Sequence, residues 1–148
     1  AASALLGACA PPPLQALDPV VREPLPGRDV TAGYAEIRNN TGLDATIALI
    51  ESPAVRKIEL HETVTTSDRV RMRRVEEPKV PAMGSLRLAP GGAHLMLFGL
   101  RPPSTADADD APVDHSIPIV FHMAFEDGSA STLSVEFKTE PIEVTARR

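Results

Sequence analysis

The sequence lacks several things at once. It has no tryptophan and one tyrosine, and aromatic residues make up 3% of its 148 positions. It has one cysteine, Cys9, which excludes an internal disulfide and a multi-cysteine zinc site. It has no excess of positive charge: 15 Lys and Arg stand against 20 Asp and Glu, a net charge of −5. That balance removes any electrostatic reason to bind nucleic acid or anionic lipid. Its one long apolar stretch, residues 1–10, is too short to cross a bilayer. There is no phosphate loop of the GxxxxGK[ST] type, no GxGxxG, no GxSxG nucleophile elbow and no HExxH. A nucleotide-binding or standard hydrolytic enzyme is therefore not written in this chain.

Proline is what the sequence has in excess, at 15 residues against an average usage of about 5%. At that density long helices are disfavoured and short strands separated by turns are favoured. The length predicts a single domain with enough buried surface to hold a core without staples. Residues 1–10 resemble the end of a secretory signal peptide. Within them Leu6-Gly7-Ala8-Cys9 resembles a bacterial lipobox, which makes Cys9 a lipidation candidate. Ordinary signal cleavage near Ala8 or Ala10 is the alternative. Residues 11–30 are rich in proline without a period and read as a linker.

From residue 31 the pattern is one of strands, and residues 31–143 form the expected domain. Ala32–Arg38, Ala45–Glu51 and Val55–Val64 read as strands, with Asn39-Asn40-Thr41-Gly42 as a turn rather than a glycosylation site. Val70–Val75, Ser85–Leu88, Ala93–Leu100, Ile119–Phe125 and Ser131–Phe137 follow. Some eight or nine strands at regular spacing predict an all-β sandwich or Greek-key barrel. The 101–118 stretch reads as a surface loop. Its Asp107, Asp109 and Asp110 lack the Gly and distal Glu of a calcium loop. Asp114-His115-Ser116 are adjacent in sequence, whereas a catalytic triad must converge from separate segments.

Chemistry enters with His61, Met72, His94 and Met96. His94 and Met96 are two apart and share a strand face, and His61 faces away from Ile58 and Leu60. Imidazole with thioether is a soft donor set that selects Cu(I), whereas zinc prefers Cys, His and carboxylate. Outside the cytoplasm a Met pair has the further merit that it cannot oxidise to a disulfide. Each residue taken alone also has a structural reading, Met as core filler and His as a surface group. Met123 illustrates this, since it shares a face with Ile119, Phe121 and Phe125, leaving His122 outward. Met83, beside Gly84 in a turn, is a further possible thioether.

Together the four match H-x10-M-x21-H-x-M, and the chain resembles the periplasmic copper chaperone family PCu(A)C. Ile58-Glu59-Leu60-His61-Glu62-Thr63, Met72-Arg73 and Pro90-Gly91-Gly92-Ala93-His94-Leu95-Met96-Leu97 carry the resemblance, which runs from about Thr31 to about Glu140. It implies a cupredoxin-like Greek-key β-sandwich holding one Cu(I) through His61, Met72, His94 and Met96. It implies a periplasmic or extracytoplasmic location and a protein acceptor for the copper, such as a cytochrome oxidase subunit or another copper chaperone. It implies no enzyme. The chain ends without a His- and Met-rich tail, so no second copper site is expected there. On this reading Glu59 and Glu62 are candidates to orient a ligand imidazole, Phe98 to shield the ion, and Arg71, Arg73 and Arg74 to steer an acidic partner.

An exported interaction module with purely structural His and Met is the competing reading, and it predicts no copper affinity. A closed four-ligand site leaves no open position for a substrate. A blue-copper carrier needs a Cys ligand, and residues 31–148 contain none. Binding requires neutral imidazoles, so copper affinity is expected to fall below about pH 6.5.

Overall fold

The structure, a computed structural model, describes residues 11–100 and 116–141. Every regular element among them is a strand. They are β1 (Leu14–Arg22), β2 (Val30–Asn39), β3 (Ala45–Glu51), β4 (Val55–Thr66), β5 (Arg69–Arg74), β6 (Lys79–Val80), β7 (Ser85–Leu88), β8 (His94–Leu100), β9 (Ser116–Phe125) and β10 (Ala130–Glu140). Hydrogen bonding runs β5-β4-β8-β2-β1-β10-β9-β3-β6, with β7 joined to β2 beyond the end of β8. The path folds over on itself. The side chain of Asn39, at the end of β2, donates to the Val80 carbonyl in β6 at the far edge. The result is the all-β, cupredoxin-like sandwich that the strand spacing and the resemblance predict.

The core follows from alternation. Ala35 and Ile37 of β2, Ile58 and Leu60 of β4, Leu95 and Leu97 of β8, and Ile119, Phe121 and Met123 of β9 all point inward. Phe121 meets Phe137 of β10 with ring centroids 6.3 Å apart. Met123 is core, as its parity requires, and His122 faces outward to the Glu51 carboxylate at 2.8 Å. Gly99 holds a positive φ of 70°, and a Cβ there would lie 2.7 Å from the Cβ of Arg56, so the end of β8 requires glycine.

Two expectations are corrected. Residues 11–30 are not a linker, because β1 occupies nine of them, Leu14–Arg22, and lies between β2 and β10 inside the sheet. The sandwich therefore begins at Leu14 rather than residue 31. Pro19 is tolerated because the register shifts between Leu17 and Val20, where a β-bulge interrupts the ladder. The second correction is the strand count, which β1 and the two-residue β6 raise above the expected eight or nine. The Cys9 lipidation candidate, the acidic stretch 101–115 and the tail from residue 142 lie outside the described residues.

Candidate metal centre

Three adjacent strands, β5, β4 and β8, build the site. In β4 the burial of Ile58 and Leu60 turns Lys57, Glu59, His61 and Thr63 to the outer face. In β8 the complete burial of Leu95 and Leu97 likewise turns His94, Met96 and Phe98 outward. Antiparallel register then pairs His61 with His94, Glu59 with Met96 and Lys57 with Phe98. On the other side of β4, Met72 lies across from Thr63 and Arg74 across from His61. Directly paired residues share a face, so His61, His94, Met96 and Met72 all lie on one outer surface. His61 is its centre. His94 is its direct cross-strand partner, and the two methionines are its diagonal neighbours on opposite sides, at a typical separation of about 7–8 Å.

The imidazoles are the enclosed members of the set. His94 is 6% exposed and its Nδ1 lies 3.0 Å from the Gly92 carbonyl oxygen. The Nε2 of His61 lies 2.8 Å from the Glu59 Oε2. The two rings stack with centroids 6.3 Å apart. Met72, on edge strand β5, is by contrast 63% exposed. Among the described residues no three His, Cys, Asp or Glu side chains are grouped so as to hold a metal. An ion on this surface would therefore need the thioethers, and imidazole with thioether fits a soft ion.

Glu59 ties the surface together. Its Oε1 accepts from the Lys57 Nζ at 3.0 Å and lies 3.8 Å from an Arg74 Nη1. Lys57 in turn lies 4.8 Å above the centre of the Phe98 ring. The hydrogen bond from His61, followed by the one from Lys57, holds the Glu59 carboxyl below its ordinary value of 4.5. A carboxyl with a depressed folded-state pKa adds stability that is full above its unfolded value and is lost as pH falls through the folded one. Urea unfolding of Glu59→Gln is thus expected to show a shallower loss of stability from pH 5 downward than wild type. Equal slopes would count against the hydrogen bonds to Glu59.

Several sequence candidates are positioned differently. Glu62 does not orient His61: one step along the strand puts it on the opposite face, where it pairs with Arg73. The residue beside His61 is Glu59, and period-two counting from His61 would have singled it out. Phe98 does share the face of Met96, but one register step further from His61 and under Lys57. Arg71 and Arg73 lie on the reverse face of β5 from Met72, leaving Arg74 as the arginine that shares its surface. Val70, 69% exposed, is the other side chain of β5 on the Met72 side. Met83 is exposed in a turn with a positive φ of 54°. The Gly92 carbonyl beside His94 is a backbone group and carries no sequence signal.

A family model described as "Putative lipoprotein LpqE-like" matches residues 14–137. The "Putative lipoprotein Lxx21020" of Leifsonia xyli subsp. xyli is 33% identical over 113 residues, covering 76% of this chain. The chain spans 63% of that relative's length. Among solved structures, the copper-bound PCuAC domain from PmoF2 superposes with a TM-score of 0.58 at 18% identity, covering 88% of this chain and 97% of that domain. Apo-DR1885 from Deinococcus radiodurans gives a TM-score of 0.57 at 24% identity, with 97% and 89% covered. Its Cu(I) form gives 0.57 at 22%, with 95% and 85% covered. At these identities the likeness establishes a shared fold.

Proposed function

The chain belongs to the LpqE-like family, and on that premise we propose that it is an exported copper carrier that binds one Cu(I) and hands it to a protein acceptor. The observation that carries this reading is the gathering of His61, His94, Met96 and Met72 around His61 on one outer face of β5-β4-β8. Two neutral imidazoles and two neutral thioethers suit a soft monovalent ion. The PCuAC fold, found with copper in the PmoF2 and DR1885 structures, supports the same reading. The lipoprotein descriptions of the family and of the Leifsonia relative support export and a lipid anchor; on this reading Cys9 of the lipobox-like Leu6-Gly7-Ala8-Cys9 would carry the lipid.

The differences in exposure supply a mechanism. A carrier must hold its cargo and still release it, which ligand exchange permits one donor at a time. Met72, on the edge strand of the described sheet and most exposed of the four, is the first donor an acceptor can displace. His94, nearly buried, is the last. We assign delivery toward the Cu(A) centre of cytochrome oxidase, or to copper homeostasis more broadly, as its role.

Anaerobic titration of Cu(I) against a coloured Cu(I) chelator tests the proposal. Retention of one equivalent by the protein is expected. Competition no stronger than that of a metal-free β-sandwich protein would leave the interaction-module reading in its place.

A further inference from the structure

We propose that Glu59 is a positioning residue that fixes which nitrogen of His61 faces the ion, so that the two histidines present different ring atoms: Nδ1 from His61 and Nε2 from His94. This inference rests on the copper reading above. It follows from what each ring already bonds. A carboxylate can only accept, so the 2.8 Å contact between Glu59 Oε2 and His61 Nε2 places the ring proton on Nε2. In a neutral imidazole the lone pair free for a metal is then on Nδ1. A carbonyl likewise only accepts, so the 3.0 Å contact from Gly92 puts the proton of His94 on Nδ1 and frees its Nε2.

The acceptor at His61 is itself held. Glu59 is two residues before His61 on β4, so both side chains leave the same face. Its second oxygen is occupied by Lys57 and approached by Arg74, which turns the first toward the ring. Lys57 is steadied over Phe98. A chain of contacts therefore runs from Phe98 through Lys57 and Glu59 to His61. Such outer partners set ring orientation and raise ligand basicity, and their loss typically lowers metal affinity about 10- to 100-fold.

The test uses Glu59→Leu and Glu59→Gln, the latter retaining a neutral acceptor of the same shape. In the metal-free wild type, long-range 1H–15N correlation spectra are expected to show Nε2–H on His61 and Nδ1–H on His94. The His61 Hε2 proton is expected to exchange slowly with water, to exchange fast in Glu59→Leu and to be partly protected in Glu59→Gln. Cu(I) affinity is expected to fall about 10- to 100-fold in Glu59→Leu and to recover most of that loss in Glu59→Gln. A wild-type His61 protonated on Nδ1, or a Glu59→Leu variant with wild-type affinity, overturns the proposal. The spectra need no copper, so a wild type with the assigned protons but no Cu(I) binding would instead refute the copper reading.

Discussion

Replacing Met72 and Met96 together by leucine is expected to abolish tight Cu(I) binding while leaving the sandwich folded. Leucine keeps the approximate volume of methionine and removes the sulfur. Such swaps usually cost less than about 1.5 kcal/mol even in a core. Met72 is 63% exposed and Met96 is on the outer face, so neither anchors the packing. The chemical cost is far larger. Losing two of four donors leaves a two-histidine site, and a loss of at least about a thousandfold, or ~4 kcal/mol, is expected. Chelator competition reads that loss directly, and urea unfolding confirms that stability is retained. The single variants separate the two roles. Met72→Leu, which vacates the position an acceptor enters first, is expected to speed transfer to an added acceptor more than Met96→Leu does. A double variant that competes as strongly as wild type would show that the methionines are not ligands.

Asn39→Ala is expected to be strongly destabilising although it lies away from this surface. Asn39 is fully buried where β2 ends, and its side chain satisfies four groups. Its Nδ2 donates to the Leu43 carbonyl at 2.8 Å and to the Val80 carbonyl at 3.1 Å. Its Oδ1 accepts from the Thr41 N–H at 3.0 Å and the Thr41 hydroxyl at 2.6 Å. The bond to Val80 links two strands far apart along the hydrogen-bonded path. Alanine would remove the buried bond to Val80 and three part-buried ones, at about 1–3 kcal/mol for each polar group left without a partner before relaxation. A net loss of about 3 kcal/mol is expected, seen as a fall in Tm of roughly 10 °C. Thr41→Val, which removes one hydroxyl at the margin of the same network, is expected to cost about a third as much. Should Asn39→Ala melt within a degree or two of wild type, the network would not be what closes the sandwich. The same burial explains why Asn39-Asn40-Thr41 acts as a turn: the Asn39 amide is already committed to the fold.

Parity made much of this protein readable in advance. Ile58 and Leu60 against Glu59 and His61, and Leu95 and Leu97 against His94 and Met96, alternate without interruption, so the sequence alone orients both strands of the site. What parity does not reveal is where it breaks. Leu14 and Val21 are both buried yet seven residues apart, an odd interval that a regular strand would send to opposite faces. The bulge after Leu17, with Asp18 at a positive φ of 51° ahead of Pro19, absorbs the extra residue and restores the burial. Without that bulge the proline-rich segment has no visible period and looks like a linker. Glu62 and the arginines flanking Met72 show a different limit. Nearness in sequence suggested nearness in space, whereas one step along a strand reverses the face. The Gly92 carbonyl was beyond reach for a third reason, because every residue carries one and only the turn aims it.

The placement of β1 also bears on how the protein reaches its fold. β1 is the first of the described strands, yet it is hydrogen-bonded in parallel to β10, the last of them, with Val20 beside Lys138. The two arms of the sandwich meet at that seam. The N-terminal strand can pair early with β2, but its second edge stays open until the final hairpin has been made. Contacts between segments so distant in the chain carry a large loop-closure entropy, and all-β topologies of this kind fold in milliseconds to seconds. A chain emerging in order from a ribosome or a membrane translocon thus cannot complete its sheet partway. Its sheet stays incomplete until β10, the far side of that seam, has been made.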